Sequence, residues 1–208
     1  MTLRLAVLGD SIGFGIGAAA TADTLAPRLA SDLSSVGLAA TTRVFAVPGA
    51  RSAGLARQVG LAVAWVPDVA VVVIGANDLT HFVPPAQAAA ALGDAVQALC
   101  AAGAEVVVAP APDLSVVPHV PPAVRSLVRS GSAQLRAAQA RAARAAGGRV
   151  ADEEGATSAA FAKHASLFCR DRFHPSSAGY AVIARALAPA VRAAAAEVLR
   201  AERTDQAG

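Results

Sequence analysis

Ser11, Asp171 and His174 are the residue types that together can make a serine hydroxyl reactive. A lone hydroxyl is a poor nucleophile until a base takes its proton and a third group holds that base. Ser11 lies in Gly9-Asp10-Ser11-Ile12-Gly13-Phe14-Gly15, small residues that follow a short apolar run and favour a sharp turn. Asp171 and His174 stand in Asp171-Arg172-Phe173-His174-Pro175, at the spacing that places two side chains on one face of a helical turn. A carboxylate there can accept the imidazole N–H, fix its tautomer and stabilise the imidazolium formed when Ser11 gives up its proton. Taken singly, Ser11 reads equally well as a helix cap, and Asp171 with His174 as a surface pair. Asp10 reads as a structural residue that holds the turn through side chain-to-backbone bonds.

Attack on an acyl carbonyl also needs donors for the oxyanion it creates. Asn77, in Gly75-Ala76-Asn77-Asp78, offers an uncharged amide, and one such donor contributes about 3 kcal/mol in comparable enzymes. Gly49, in Val47-Pro48-Gly49-Ala50-Arg51-Ser52, and Ser11 itself can each bring a backbone N–H to the same anion. Ordinary turn chemistry is the better reading of Asn77-Asp78 when that block stands alone. His81 follows Asn77 closely enough to line the same pocket and is a substrate-binding candidate, whereas His119 and His164 have no partner in sequence. The run Gly13-Phe14-Gly15-Ile16-Gly17 suggests a rival, a nucleotide- or flavin-binding loop. Its spacing is not G-x-G-x-x-G, no helix is expected immediately after it, and no P-loop lysine is present.

The elements that must carry these residues alternate between strand and helix. Strands are expected at Leu3–Leu8, Thr41–Val47, Val69–Ile74 and Glu105–Ala109, with Arg149–Ala151 a short fifth candidate. Val69–Ile74 is apolar on both faces, as a central parallel strand should be. Helices are expected over Thr24–Val36, Ser52–Trp65, Pro85–Ala102, Ala123–Ala146 and Ser176–Arg200, with Pro189 bending or interrupting the last. The proline-rich stretch Pro110–Pro122 is expected to be irregular and to lie on the surface. Such an order gives a mostly parallel sheet with helices on both faces, and ligands in such sheets bind beyond the carboxyl ends of the strands. Ser11, Gly49 and Asn77 follow the first, second and third strands, so they share one rim.

Composition narrows the classes. At 208 residues, with 55 % hydrophobic and 16 % charged residues, the chain suits one globular domain over 1–203 and a disordered tail over 204–208. A formal charge of +3 is too small a bias to indicate nucleic acid. Lys163 is the only lysine, and Arg125, Arg129, Arg136, Arg141, Arg144 and Arg149 fall in one stretch without an acid among them. That stretch reads as a solvated helix face, with contact to an anionic membrane surface as the alternative. No segment is long and apolar enough to span a bilayer and no signal peptide is evident, which is the pattern of a cytoplasmic chain. Cys100 and Cys169 read as free thiols, and neither has metal-ligand spacing to a partner.

The blocks Gly9-Asp10-Ser11, Gly49, Gly75-Ala76-Asn77-Asp78 and Asp171-Arg172-Phe173-His174-Pro175 together resemble the SGNH/GDSL hydrolase superfamily, in order and separation, over residues 4 to about 190. The resemblance implies a flavodoxin-like three-layer α/β/α sandwich with a central parallel five-stranded sheet. It also implies hydrolysis of a small-molecule ester, with Ser11 as nucleophile and Asp171–His174 as its acid–base pair. The backbone of Ser11 and Gly49 and the side chain of Asn77 would form the oxyanion hole, with no metal or cofactor. Lysophospholipid, acyl-thioester and acetylated-carbohydrate substrates would suit the same triad. Ile12-Gly13 depart from the leucine and hydroxyl residue that often follow the family's first block, which bears on substrate rather than on the triad.

Overall fold

The computed structural model describes residues 2–207, with side chains described through Thr204. Five parallel strands form one sheet: β1 (Leu3–Gly9), β2 (Ala40–Val44), β3 (Val69–Val73), β4 (Glu105–Ala109) and β5 (Arg149–Val150). Their order is β2-β1-β3-β4-β5. The connections leave β1 in opposite directions, toward β2 and then toward β3, so the switch point lies between β1 and β3. This is the expected flavodoxin-like α/β/α arrangement.

The period-2 alternation of the strands divides the core. Leu5, Val7, Val71 and Val107 face one layer, built on α2 (Leu25–Ser35) and the last helix, α8 (Ser177–Ala207). Ala6, Leu8, Val72 and Val108 face the other, built on α3 (Leu55–Trp65) and α5 (Pro85–Ala101). Because both faces are covered, the central strands can be apolar at every position. The helix α6 (Arg125–Ala145) adds Ala143 to the second layer.

The arginines of α6 and its flanks are mostly committed within the molecule. Arg144 pairs with Glu153 at 2.6 Å, and Arg149 reaches Glu105 at 3.3 Å and Glu197 at 3.4 Å. Arg136 meets Asp152, and Arg129 lies 3.8 Å from Asp113. Acids distant in sequence therefore balance a stretch that reads as unpaired when taken alone.

Four local expectations are corrected. The proline-rich stretch is irregular, but Ala111, Leu114, Ser115 and Val117 within it are buried, because Gln139 and Ser132 of α6 accept from the backbone N–H groups of Ala111 and Leu114. A helix that composition did not announce, α7 (Ala156–Lys163), contributes the buried Phe161. The last helix runs through Pro189 and on to Ala207, since no glycine stands between Tyr180 and Ala207 to stop it. The tail assigned to 204–208 is thus helical as far as Ala207, and Gly208 lies outside the described residues. No helix among the described residues is long and apolar enough to cross a membrane.

Candidate active site

The turn that presents Ser11 is built at the end of β1. Gly9 has φ +130°, and a Cβ there would lie 1.8 Å from the carbonyl oxygen of Val73, so only glycine fits between β1 and β3. Asp10 then caps the four-residue helix α1 (Ser11–Phe14), its Oδ1 accepting from Ile12 N at 2.9 Å. Asp10 is 1 % exposed, and burial pushes its carboxyl up to about 6 against the lowering effect of the Ile12 N–H. Asp78 nearby raises it further. The exit of the turn is held by Tyr180, fully buried on α8, whose hydroxyl donates to Ile16 O at 2.8 Å.

Ser11 and His174 are 163 positions apart in sequence, yet His174 Nε2 lies 3.1 Å from Ser11 Oγ. The other ring nitrogen, Nδ1, lies 2.6 Å from Asp171 Oδ2. Burial alone would raise the Asp171 carboxyl, but hydrogen bonds from the His174 ring, the backbone N–H groups of His174 and Phe173, and the Cys169 thiol hold it well below the usual carboxylate range. The Asp171–His174 segment is a tight turn rather than the expected helical one. Cys169 N donates to His174 O at 2.8 Å, and Arg172 takes a left-handed φ of 58° between them. Across the site, His119 Nε2 bonds the carbonyl of Asp171 at 2.7 Å. Phe173 packs edge-on against the His174 ring, with centroids 5.1 Å apart.

The third block leaves β3 through Gly75, whose φ of +129° and contact with Ala111 exclude a side chain: a Cβ would sit 2.6 Å from that of Ala111. The short helix α4 (Ala76–Thr80) follows. Two adjacent side chains on it grip the loop after β2. Asn77 Nδ2 donates to Ala50 O at 3.0 Å, while buried Asp78 accepts from Ser52 N at 3.1 Å and from Ser52 Oγ at 3.0 Å. Those bonds bring the Gly49–Ser52 loop beside Asn77. Among the described residues, the N–H groups of Ser11 and Gly49 have no hydrogen-bond partner, which leaves both free to meet an anion.

A cavity of about 60 Å³ opens beside Ser11 and His174, walled by Ile12, Leu114, Val117, Phe161, Phe173 and Ile183. The proline-rich loop, through Leu114 and Val117, and α7, through Phe161, wall one side of it. His81 is not among the lining residues; it is exposed, with its ring 2.8 Å from the carbonyl of Asn77. Cys100 and Cys169 are both free thiols.

Sequence reasoning passed over Gln58, Gln139, Ser52 and Tyr180. Gln58 and Gln139 are buried and bond the backbone where β1, β3 and β4 end. The available signal was a glutamine inside an apolar helical stripe, as in Leu55, Gln58, Val59 and Ala62.

The model of the GDSL-like lipase/acylhydrolase family matches residues 7–182, most of the chain and all the blocks described above. The chain belongs to this family. It is 35 % identical over 201 residues to the GDSL-like esterase Rv1075c of Mycobacterium tuberculosis, a match covering 95 % of this chain and 64 % of that protein. The chain thus spans less than two thirds of that relative's length. Among solved structures, TesA superposes with a TM-score of 0.73 at 23 % identity, covering 92 % of this chain and 99 % of that one. Axe2, an acetylxylan esterase from Geobacillus stearothermophilus, superposes with a TM-score of 0.72 at 19 % identity, covering 91 % and 94 %. At those identities the likeness is one of fold. In this GDSL-like chain the Ser11, Gly49 and Asn77 blocks follow β1, β2 and β3 on one rim, and the turn before α8 brings His174 to it.

Proposed function

We propose that this protein is a serine hydrolase of small carboxylic esters that works through an acyl-enzyme. The observation that carries the reading is the continuous relay from Ser11 Oγ through His174 to Asp171, at 3.1 and 2.6 Å. In this mechanism Ser11 Oγ attacks the ester carbonyl carbon as its proton passes to His174 Nε2. Asp171 remains ionised and stabilises the imidazolium. The N–H groups of Ser11 and Gly49 and the Asn77 amide receive the oxyanion. Collapse of the intermediate expels the alcohol, which takes the proton from His174. Water, deprotonated by the same imidazole, then attacks the acyl-serine and releases the acid.

The cavity sets the acyl half. A water-sized group needs roughly 10–15 Å³ of such space, so about 60 Å³ accommodates about four to six non-hydrogen atoms. Short acyl groups fit, and the alcohol side is left to the open rim. Thioesters and acetylated carbohydrates present the same carbonyl with the leaving group outside, so they remain within the same chemistry. The pairing of the α6 arginines removes the main reason to favour a lipid surface.

Turnover of p-nitrophenyl acetate and butyrate by wild type and Ser11→Ala tests the assignment, together with fluorophosphonate labelling. The expected result is a loss of roughly 10⁴-fold or more and no label on the variant. Equal rates in the two proteins would remove Ser11 from the mechanism.

A further inference from the structure

A second cavity of about 50 Å³ adjoins the acyl cavity. Its own walls are Val73 and Ala109, at the ends of β3 and β4, with Leu187 of α8 and the Arg136–Asp152 pair. The two cavities share Ile12, Pro112, Thr157, Ser158 and Ile183, so these residues form the partition between them. Ile12 is the residue after the nucleophile, and Ile183 projects from α8 at 7 % exposure.

We propose that Ile12 and Ile183 act as an acyl-length stop, an inference that rests on the ester-hydrolase reading above. The acyl cavity is apolar and ends at this partition. Both isoleucines are helical, where a β-branched side chain is held almost entirely in one χ1 rotamer. The partition therefore does not swing aside at low cost, and an acyl chain much beyond four carbons has nowhere to extend. Beyond the stop, the second cavity offers room for only about three to five further methylenes before the chain meets Arg136 and Asp152. Ile183 thus determines specificity: removing its branch joins the two spaces and lengthens the preferred acyl group by a bounded amount.

The test is the ratio of kcat/KM for hexanoate over butyrate p-nitrophenyl esters, measured within each protein so that changes in overall activity cancel. Each newly buried methylene is worth about fourfold. Ile183→Ala is therefore expected to raise the ratio about tenfold, and Ile183→Val about twofold. Decanoate should gain little in either, because the polar far wall remains. Adding Ala109→Val, which fills only the second cavity, should take most of the Ile183→Ala gain back. Thermal unfolding identifies any variant that fails to fold, in which case Ile183→Val carries the test. An unchanged ratio in folded Ile183→Val and Ile183→Ala would overturn the stop. A wild type that neither turns over butyrate nor takes a fluorophosphonate label would instead overturn the ester-hydrolase reading, and the stop with it.

Discussion

Gln58 satisfies both backbone polar groups of Gly9: its Oε1 accepts from Gly9 N at 2.7 Å and its Nε2 donates to Gly9 O at 2.9 Å. The residue is 2 % exposed, so these groups have no water to fall back on. One amide from α3 therefore holds the strand end that launches the Ser11 turn. Gln58→Leu leaves the Gly9 N–H buried without a partner, while the Gly9 carbonyl keeps the Val47 N–H at 3.0 Å, which should cost about 1–3 kcal/mol. Urea denaturation would show this as a lower midpoint with little change in slope.

Asp171 orients His174 through a single carboxylate oxygen at 2.6 Å. Asp171→Asn keeps the shape but permits the wrong imidazole tautomer, and the expected loss in kcat is roughly 10³–10⁴-fold. Because the Asp171 carboxyl is held below its ordinary range, the stability it contributes is present above pH about 4 and fades only as pH falls toward its low folded value. Wild type should thus lose stability relative to Asp171→Asn in strong acid alone, as followed by thermal melts below pH 4.

Asn77→Ala should lower kcat on p-nitrophenyl butyrate by roughly 10²–10³-fold with a smaller effect on KM, since the amide acts on charge that exists only in the transition state. It also breaks the bond to Ala50 O. Ser52→Ala separates the two roles: it removes only the hydroxyl donor to Asp78 and leaves the Asn77 amide in place. A smaller fall in kcat is expected from Ser52→Ala, and steady-state kinetics on the pair check this.

Asp10 has the opposite sign to Asp171. Its carboxyl is raised from an ordinary value of 3.8 to about 6, so the folded protein binds its proton more readily than the unfolded chain. The group therefore favours the fold below its unfolded value, and that contribution is lost as pH rises through about 6. Between pH 5 and pH 7 the loss amounts to about 1 kcal/mol. Denaturation of wild type and Asp10→Asn at both pH values should show this difference, with the variant nearly insensitive over the interval.

Thr157 Oγ1 is a buried side-chain oxygen without a hydrogen-bond partner among the described residues. Replacing its hydroxyl with a methyl of similar shape removes the cost of leaving it unpaired. Thr157→Val should therefore gain about 1 kcal/mol, read as a rise of a few degrees in Tm.

Much of this molecule is written locally. An unbroken apolar run such as Val69–Val73 can only be a strand covered on both faces, and alternating helices then impose parallel order. Ser11, Gly49 and Asn77 each follow one of the first three strands, so a shared rim was predictable from chain order. The proline-rich loop misled because prolines report where regular hydrogen bonding stops, not where the chain goes next. Its burial depends on Gln139 and Ser132, which belong to a helix that begins after it.

Residue type and order were thus enough to single out Ser11 and His174 as the candidate nucleophile and base and to predict the sheet whose first strand leads into Ser11, because those signals lie in short windows. Only the folded chain sets the 3.1 Å between positions 11 and 174, the cavity beside them and the isoleucines it shares with a second cavity. These arise where α7, α8 and the loop after β4 pack together. Packing of elements distant in sequence depends on the shapes of all of them at once, and no local pattern encodes it.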